Sequence, residues 1–229
     1  MSKILFVVTG ATAWTLQDGS RHPTGYWAEE LLTPYRTITG AGHQVEFATP
    51  GGVRPVADEA SLAPDVNDGV DVRPEIEAIE GLRAPRRLED VRLADYDAVF
   101  YPGGHGPMED LAVHEGSGRL LTEALDAQTP LGIVCHAPAA MLAAVREDGS
   151  PAFAGRRVTG FSNEEERQGG LADRARWLLE DRLRELGADV TVGEPWAPHV
   201  VVDGTLVTGQ NPGSSGELAD RLLELLATR

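Results

Sequence analysis

PLGIVCHAPAAML, Pro130–Leu142, reads as a strand followed without a linker by a helix. Its first residues form an apolar run of strand length, and the residues after it are small and helix-compatible. At the junction stand Cys135, the chain's one cysteine, and His136. In a strand, consecutive side chains point to opposite faces, so this pair can act together only if the backbone bends sharply between them. Ala137 and Ala139 leave room for that bend, as in a nucleophile elbow. A cysteine opening a helix also meets free amides and the positive end of the dipole, which favour the thiolate. The pattern therefore predicts a strained backbone and a lowered thiol pKa at Cys135. A buried, inert cysteine at a strand end has the same local signature, because free cysteine is commonly buried. The dipeptide alone leaves both readings open.

Outward from the elbow, apolar runs of strand length alternate with amphipathic stretches of helix length. KILFVVTG (Lys3–Gly10) and DAVFYPGGHG (Asp97–Gly106) are continuous apolar runs ending in glycine, as expected of strands buried on both faces. HQVEFATPGG, RRVTGF and DVTVGE read as further strands, and HVVVDGTLVTG as a hairpin turning at Asp203-Gly204. A helical stripe runs through Trp27, Leu31, Tyr35 and Ile38, with Pro34 expected to start or kink the helix. GRLLTEALDAQ and APAAMLAAV read as helices, and LADRARWLLEDRLRELGA as one long helix ended by Gly187. The last stripe, Leu218, Leu222, Leu225 and Leu226, follows serines suited to cap it. The alternation predicts an α/β fold, a mostly parallel sheet with helices on both faces, in a single domain over 1–229. Residues from about 51 to 95, rich in Pro, Asp and Gly, read as a partly helical excursion from it.

Composition narrows the function classes. Among 229 residues, 20 Lys+Arg face 36 Asp+Glu, a net charge of −16. Such a surface repels phosphate backbones, so nucleic acid and anionic membranes are not expected partners. A single cysteine permits no intrachain disulfide and fits a reducing compartment. The N-terminus lacks a signal peptide's layout, and no run approaches the ~20 apolar residues of a membrane span. The expectation is a soluble cytoplasmic protein. His22, His43, His105, His114, His136 and His199 show no ligand spacing, and Pro and Gly separate His105 from Glu109. With no dinucleotide or phosphate-loop fingerprint, the sequence predicts neither metal nor cofactor.

YPGGHG (Tyr101–Gly106) also closes a predicted strand, at the end where parallel sheets bind ligands. Its glycines could bring backbone amides close to a substrate oxygen, though a plain tight turn would use them too. Glu29 and Glu30, at a helix start, read locally as dipole-stabilising surface acids, and the NEEE run ending at Glu166 as a solvated helix N-terminus. Trp27 and Trp196 are candidates to line a pocket, against the commoner roles of core or dimer contact.

Taken together, GIVCHAPAAML, YPGGHG, TGYWAEELLTPY, TGFSNEEE and LVTGQNPGSS resemble the ThiJ/PfpI superfamily of the class I glutamine amidotransferase-like fold. Their order, running from residue 24 to 215, is similar to the branch of cofactor-independent glyoxalases (glyoxalase III) and heat-shock chaperones. The resemblance implies a flavodoxin-like three-layer sandwich with a nucleophile elbow, acting as a homodimer. It implies that Cys135 is the nucleophile, His136 its adjacent histidine, and Glu30 the acid whose carboxyl contacts the sulfur. Glu166, or its neighbour Glu165, would complete a Cys-His-Glu triad. Gly104 and His105 would face the cysteine and supply an oxyanion amide. The implied substrate is a small carbonyl compound such as methylglyoxal, converted to a 2-hydroxy acid. A cysteine-dependent amidase or peptidase and a holding chaperone are the alternatives, the last weakened by low aromatic content and high charge.

Overall fold

The computed structural model describes residues 1–228. Its centre is a seven-stranded sheet. In chain order the strands of the molecule are β1 (Lys3–Val7), β2 (Ala13–Thr15), β3 (Arg21–Pro23), β4 (Gln44–Thr49), β5 (Arg86–Arg87) and β6 (Ala98–Tyr101). They continue with β7 (Leu131–Val134), β8 (Arg157–Val158), β9 (Asp189–Val190), β10 (Val200–Asp203) and β11 (Leu206–Gly209). The central order is β10-β11-β7-β6-β1-β4-β5, parallel throughout except for the β10–β11 hairpin. That hairpin turns at Asp203-Gly204, where Gly204 has φ 63°. Strands β6 and β7 are buried along their whole length and β1 after its first residue, which is why they read as unbroken apolar runs.

Helices surround this sheet, giving the α/β layering expected from the alternation and the flavodoxin-like arrangement implied by the family resemblance. Helix Ala28–Gly40 packs against the C-terminal helix Ser215–Ala227, which lies over β7 and β11. A second group, the helix Glu115–Asp126 with the segments Gly106–Glu109 and Ala137–Ala143, packs together. Leaving β1, the chain reaches β4 on one side and returns to β6 on the other. The carboxyl ends of β6 and β7 thus open beside the switch point where such sheets bind ligands.

Several local expectations change in the fold. Pro34 lies inside Ala28–Gly40 and does not start it. RRVTGF shrinks to the two residues of β8, which pair with β9 in a separate small sheet. The long helix predicted over 171–188 is interrupted, with a 3-10 turn at Ala172–Arg174 and an α-helix only at Leu179–Glu185. Gly187 still ends it, at φ 88°. Residues 50–95 form short helical turns, and Ala57 bridges to Tyr26. Ser214 does not cap the C-terminal helix, because its hydroxyl is engaged with Asn211 and His199.

Candidate active site

Strand β7 delivers Cys135 with its N–H still on the ladder, donating to the Gly209 carbonyl at 2.9 Å. The Cys135 carbonyl then accepts the Phe161 N–H at 2.8 Å. Between these two anchors the residue adopts φ 60°, the left-handed region. That conformation costs a non-glycine residue on the order of 1–2 kcal/mol and persists because its surroundings fix both ends. The backbone strain expected from sequence is therefore present. The element after it differs from expectation: Ala137–Ala143 is 3-10, and no α-helix begins at the cysteine.

The side chains converge by tertiary contact. Cys135 Sγ lies 3.2 Å from His136 Nδ1, and His136 Nε2 lies 2.7 Å from Glu166 Oε2. The other oxygen, Oε1, is 2.9 Å from His105 Nε2. Burial alone would raise the Glu166 carboxyl, but the two imidazoles outweigh it and hold it well below the usual carboxylate range. Burial, with His105 nearby, pushes His136 down to about 4. At neutral pH the network therefore assigns a neutral His136 that donates from Nε2–H to an ionised Glu166 and presents the Nδ1 lone pair to the sulfur.

On the other side of the sulfur is Glu30, fully buried in the first turn of Ala28–Gly40. Its Oε2 accepts the Gly103 N–H at 2.8 Å, and the carboxyl lies close enough to the thiol for each to shift the other's titration, while Oε1 is buried without a partner. Burial raises it to about 8, against the pull of those two contacts, so it is protonated at neutral pH. Glu29, one residue earlier and about 100° around the helix, is only partly buried and does not reach the site. Close approach explains the glycines of the PGG turn. A Cβ on Gly103 would lie 2.7 Å from Glu30 Oε2 and 2.9 Å from the Cys135 Cβ. Gly104 has φ 87° and abuts the Gly25 carbonyl, which lets its N–H address the sulfur.

The thiol corrects the expectation of a lowered pKa. Burial pushes Cys135 well above the ordinary thiol range, and the Glu30 carboxyl adds to this, outweighing the Gly104 amide. The predicted helix dipole is missing because the following segment is 3-10, whereas the neighbouring carboxyl was legible only through the family resemblance. A nucleophile here must lose its proton to a base as it attacks.

Glu165 and Glu166 separate cleanly. Glu165 caps its own helix through Ser162 and accepts from Gln210 at 3.0 Å, Asn211 at 2.8 Å and the Trp196 N–H at 2.9 Å. Glu166 alone touches the histidines. Sequence reasoning missed the His105 side chain, having assigned that residue only a loop amide. Its ring lies 4.0 Å from that of His136 and stacks on Trp14 at 5.0 Å. No spacing rule could have found it, since 61 residues separate it from Glu166.

A cavity of about 310 Å³ opens over the sulfur. Trp27, Phe161, Leu171 and Trp196 give it apolar walls, and His22, Asp58, His105 and Glu166 its polar ones. Among the described residues, His105, His136 and Glu166 are the group whose ligating atoms fall within 4.8 Å of one another. In this arrangement both carboxylate oxygens are engaged by imidazole nitrogens. Among the described residues, no helix is long and apolar enough to cross a membrane.

Comparison with known proteins agrees with this fold. The family model described as the DJ-1/PfpI family matches residues 24–225, and the chain belongs to that family. It is 30% identical over 228 residues to the protein/nucleic acid deglycase HchA of Staphylococcus aureus strain Newman, covering 94% of this chain and 77% of that one. The Rapid Encystment Protein of 24 kDa from Francisella tularensis superposes with a TM-score of 0.87 at 28% identity, over 99% of each chain. A glyoxalase III from Candida albicans superposes at 0.81 with 24% identity, covering 98% of this chain and 97% of that one, a likeness of fold.

Proposed function

We propose that this chain is a cofactor-independent glyoxalase that converts 2-oxoaldehydes such as methylglyoxal to 2-hydroxy acids. The observation that carries the reading is a buried thiol with a basic nitrogen 3.2 Å away on one side and a protonated carboxyl on the other. The name of the Staphylococcus aureus relative and the fold shared with the Candida albicans enzyme support it.

The chemistry follows from these groups. Cys135 Sγ bonds to the aldehyde carbon while His136 Nδ1 takes the thiol proton and Glu30 gives its proton to the carbonyl oxygen, forming a hemithioacetal. Glu30, now a carboxylate, removes the proton from that carbon, and the imidazolium protonates the neighbouring ketone oxygen. The result is an enediol. Glu30 returns its proton to the second carbon as His136 takes the hydroxyl proton from the first, leaving a thioester. Water, losing a proton to Glu30, displaces the sulfur, which His136 reprotonates, and the hydroxy acid leaves. Substrate plus water equals product, so no external electron acceptor is required. Glu166 keeps His136 in the productive tautomer and steadies its charged form, and the Gly104 amide faces the developing oxyanion.

Lactate formation from methylglyoxal without glutathione, by the wild type and Cys135→Ala, tests the proposal. Activity on amides or peptides with none on methylglyoxal would assign the site to a hydrolase instead. The relative's name, a protein/nucleic acid deglycase, also favours deglycation of modified proteins by the same thiol. Lactate release from methylglyoxal-treated N-acetylarginine, faster than its spontaneous breakdown, would establish that activity. The reading includes a homodimer, which light scattering decides.

A further inference from the structure

Trp196 is fixed in place without being buried. Its backbone sits at φ 66°, a region that bulky residues rarely adopt. Two hydrogen bonds from one helix, Asn163–Gln168, hold it there: its N–H donates to Glu165 Oε1 at 2.9 Å, and its ring Nε1–H donates to Gln168 Oε1 at 2.6 Å. The next residue is tied as well, with the Ala197 carbonyl accepting from Asn211 Nδ2 at 2.7 Å. Yet the residue remains 49% exposed and lines the catalytic cavity. A tryptophan that served the core would be covered, and one idle on the surface would not need a strained backbone and two bonds to aim it.

The rings of the site form a file leading outward. His136 and Phe161 have centroids 4.3 Å apart, and Phe161 meets Trp196 edge-on at 5.6 Å. A carbonyl carbon bonded to Cys135 Sγ sits at the inner end of this file, beside His136. A substituent on that carbon that runs along Phe161 would meet the edge of Trp196, with Trp27 also lining the cavity. The methyl of methylglyoxal is too short to cover Trp196. A flat aromatic substituent would bury apolar area against both rings and gain the favourable edge and offset contacts of aromatic pairs.

We propose that Trp196 is a specificity-determining residue and that the site prefers 2-oxoaldehydes bearing an aromatic substituent over methylglyoxal. This deepens the glyoxalase reading and, for turnover, rests on it. Initial rates with phenylglyoxal and methylglyoxal test it in the wild type, Trp196→Ala and Trp196→Phe. The wild type should show kcat/KM at least about tenfold higher for phenylglyoxal. Trp196→Ala should lower the phenylglyoxal-to-methylglyoxal ratio of kcat/KM about tenfold, with Trp196→Phe recovering part of that ratio. Equal use of the two aldehydes by the wild type, or an equal loss on both in Trp196→Ala, would overturn the proposal. If neither aldehyde is converted, the reaction assigned above fails, and selectivity is then decided by protection of Cys135 from alkylation. Mandelate protecting at a tenth of the lactate concentration, with the gap abolished in Trp196→Ala, supports the proposal; equal protection overturns it.

Discussion

His105 and His136 lie with ring centroids 4.0 Å apart, each with its Nε2 on a different oxygen of Glu166. One ionised carboxylate therefore orients two imidazoles, of which only His136 reaches the sulfur. Replacing Glu166 by Gln leaves one imidazole facing an amide that cannot accept for both. Glu166→Gln should lower kcat by on the order of 10²–10⁴-fold, as expected when a catalytic histidine loses its tautomer. Glu165→Gln should instead lower the thermal midpoint by several degrees, because buried acceptors for Ser162, Asn211 and Gln210 are lost. Parallel kinetics and melting curves check this, and a reversed pattern would exchange the two roles.

Glu30 couples activity to stability in opposite directions. Its carboxyl rises from 4.5 to about 8 on folding, so between those values the native state holds a proton that the unfolded chain has lost. Stability contributed by this group therefore falls as pH rises through that window. His136, lowered from 6.5 to about 4, acts with the opposite sign, but only below its unfolded value. Above about pH 6.5 the Glu30 slope stands alone of the two. The thermal midpoint should decline from pH 6.5 to 8 in the wild type and stay nearly level in Glu30→Gln. That variant should be at least as stable as the wild type at pH 8 and catalytically near-dead, while Glu29→Gln retains most turnover.

Alkylation of Cys135 should titrate above the ~8.5 of an unperturbed thiol, because burial and then Glu30 both disfavour the thiolate. Glu30→Gln removes the charge that develops beside the sulfur and should shift the midpoint down. Iodoacetamide rates against pH measure both. A wild-type midpoint below 8 would show a preformed thiolate and would remove His136 from the role of attacking base.

The cluster of His105, His136 and Glu166 has the size to hold a metal ion, which makes chelation an informative test. In the proposed chemistry every proton moves through Glu30 or His136, so turnover should survive excess chelator and need no added thiol. His105→Gln should reduce turnover more modestly than Glu166→Gln, since His136 keeps its carboxylate. Activity that vanished under chelation and returned with a divalent metal would overturn this assignment of the cluster.

The β-α alternation, the buried strands β6 and β7 and the bend at Cys135 were legible in the sequence because each rests on local pattern: apolar runs, glycines at strand ends and small residues at a turn. Those signals act over a few residues and survive without tertiary context. What failed also had a local cause. APAAMLAAV was expected as a helix and folded as 3-10 over Ala137–Ala143, and the 171–188 stripe broke at its middle, since periodicity does not register how neighbouring segments pack. The site itself was decided by contacts across the chain. Glu29 and Glu30 are equivalent locally, and so are Glu165 and Glu166, until a helix is rotated against the sheet and one of each pair is turned to the sulfur or the imidazole. The direction of the Cys135 pKa was decided the same way, because burial and the Glu30 carboxyl come from residues far along the chain and outweigh the amide that the turn supplies. Sequence determines which groups are available and where the backbone must bend; desolvation and charge proximity, which exist only in the folded state, determine what those groups do.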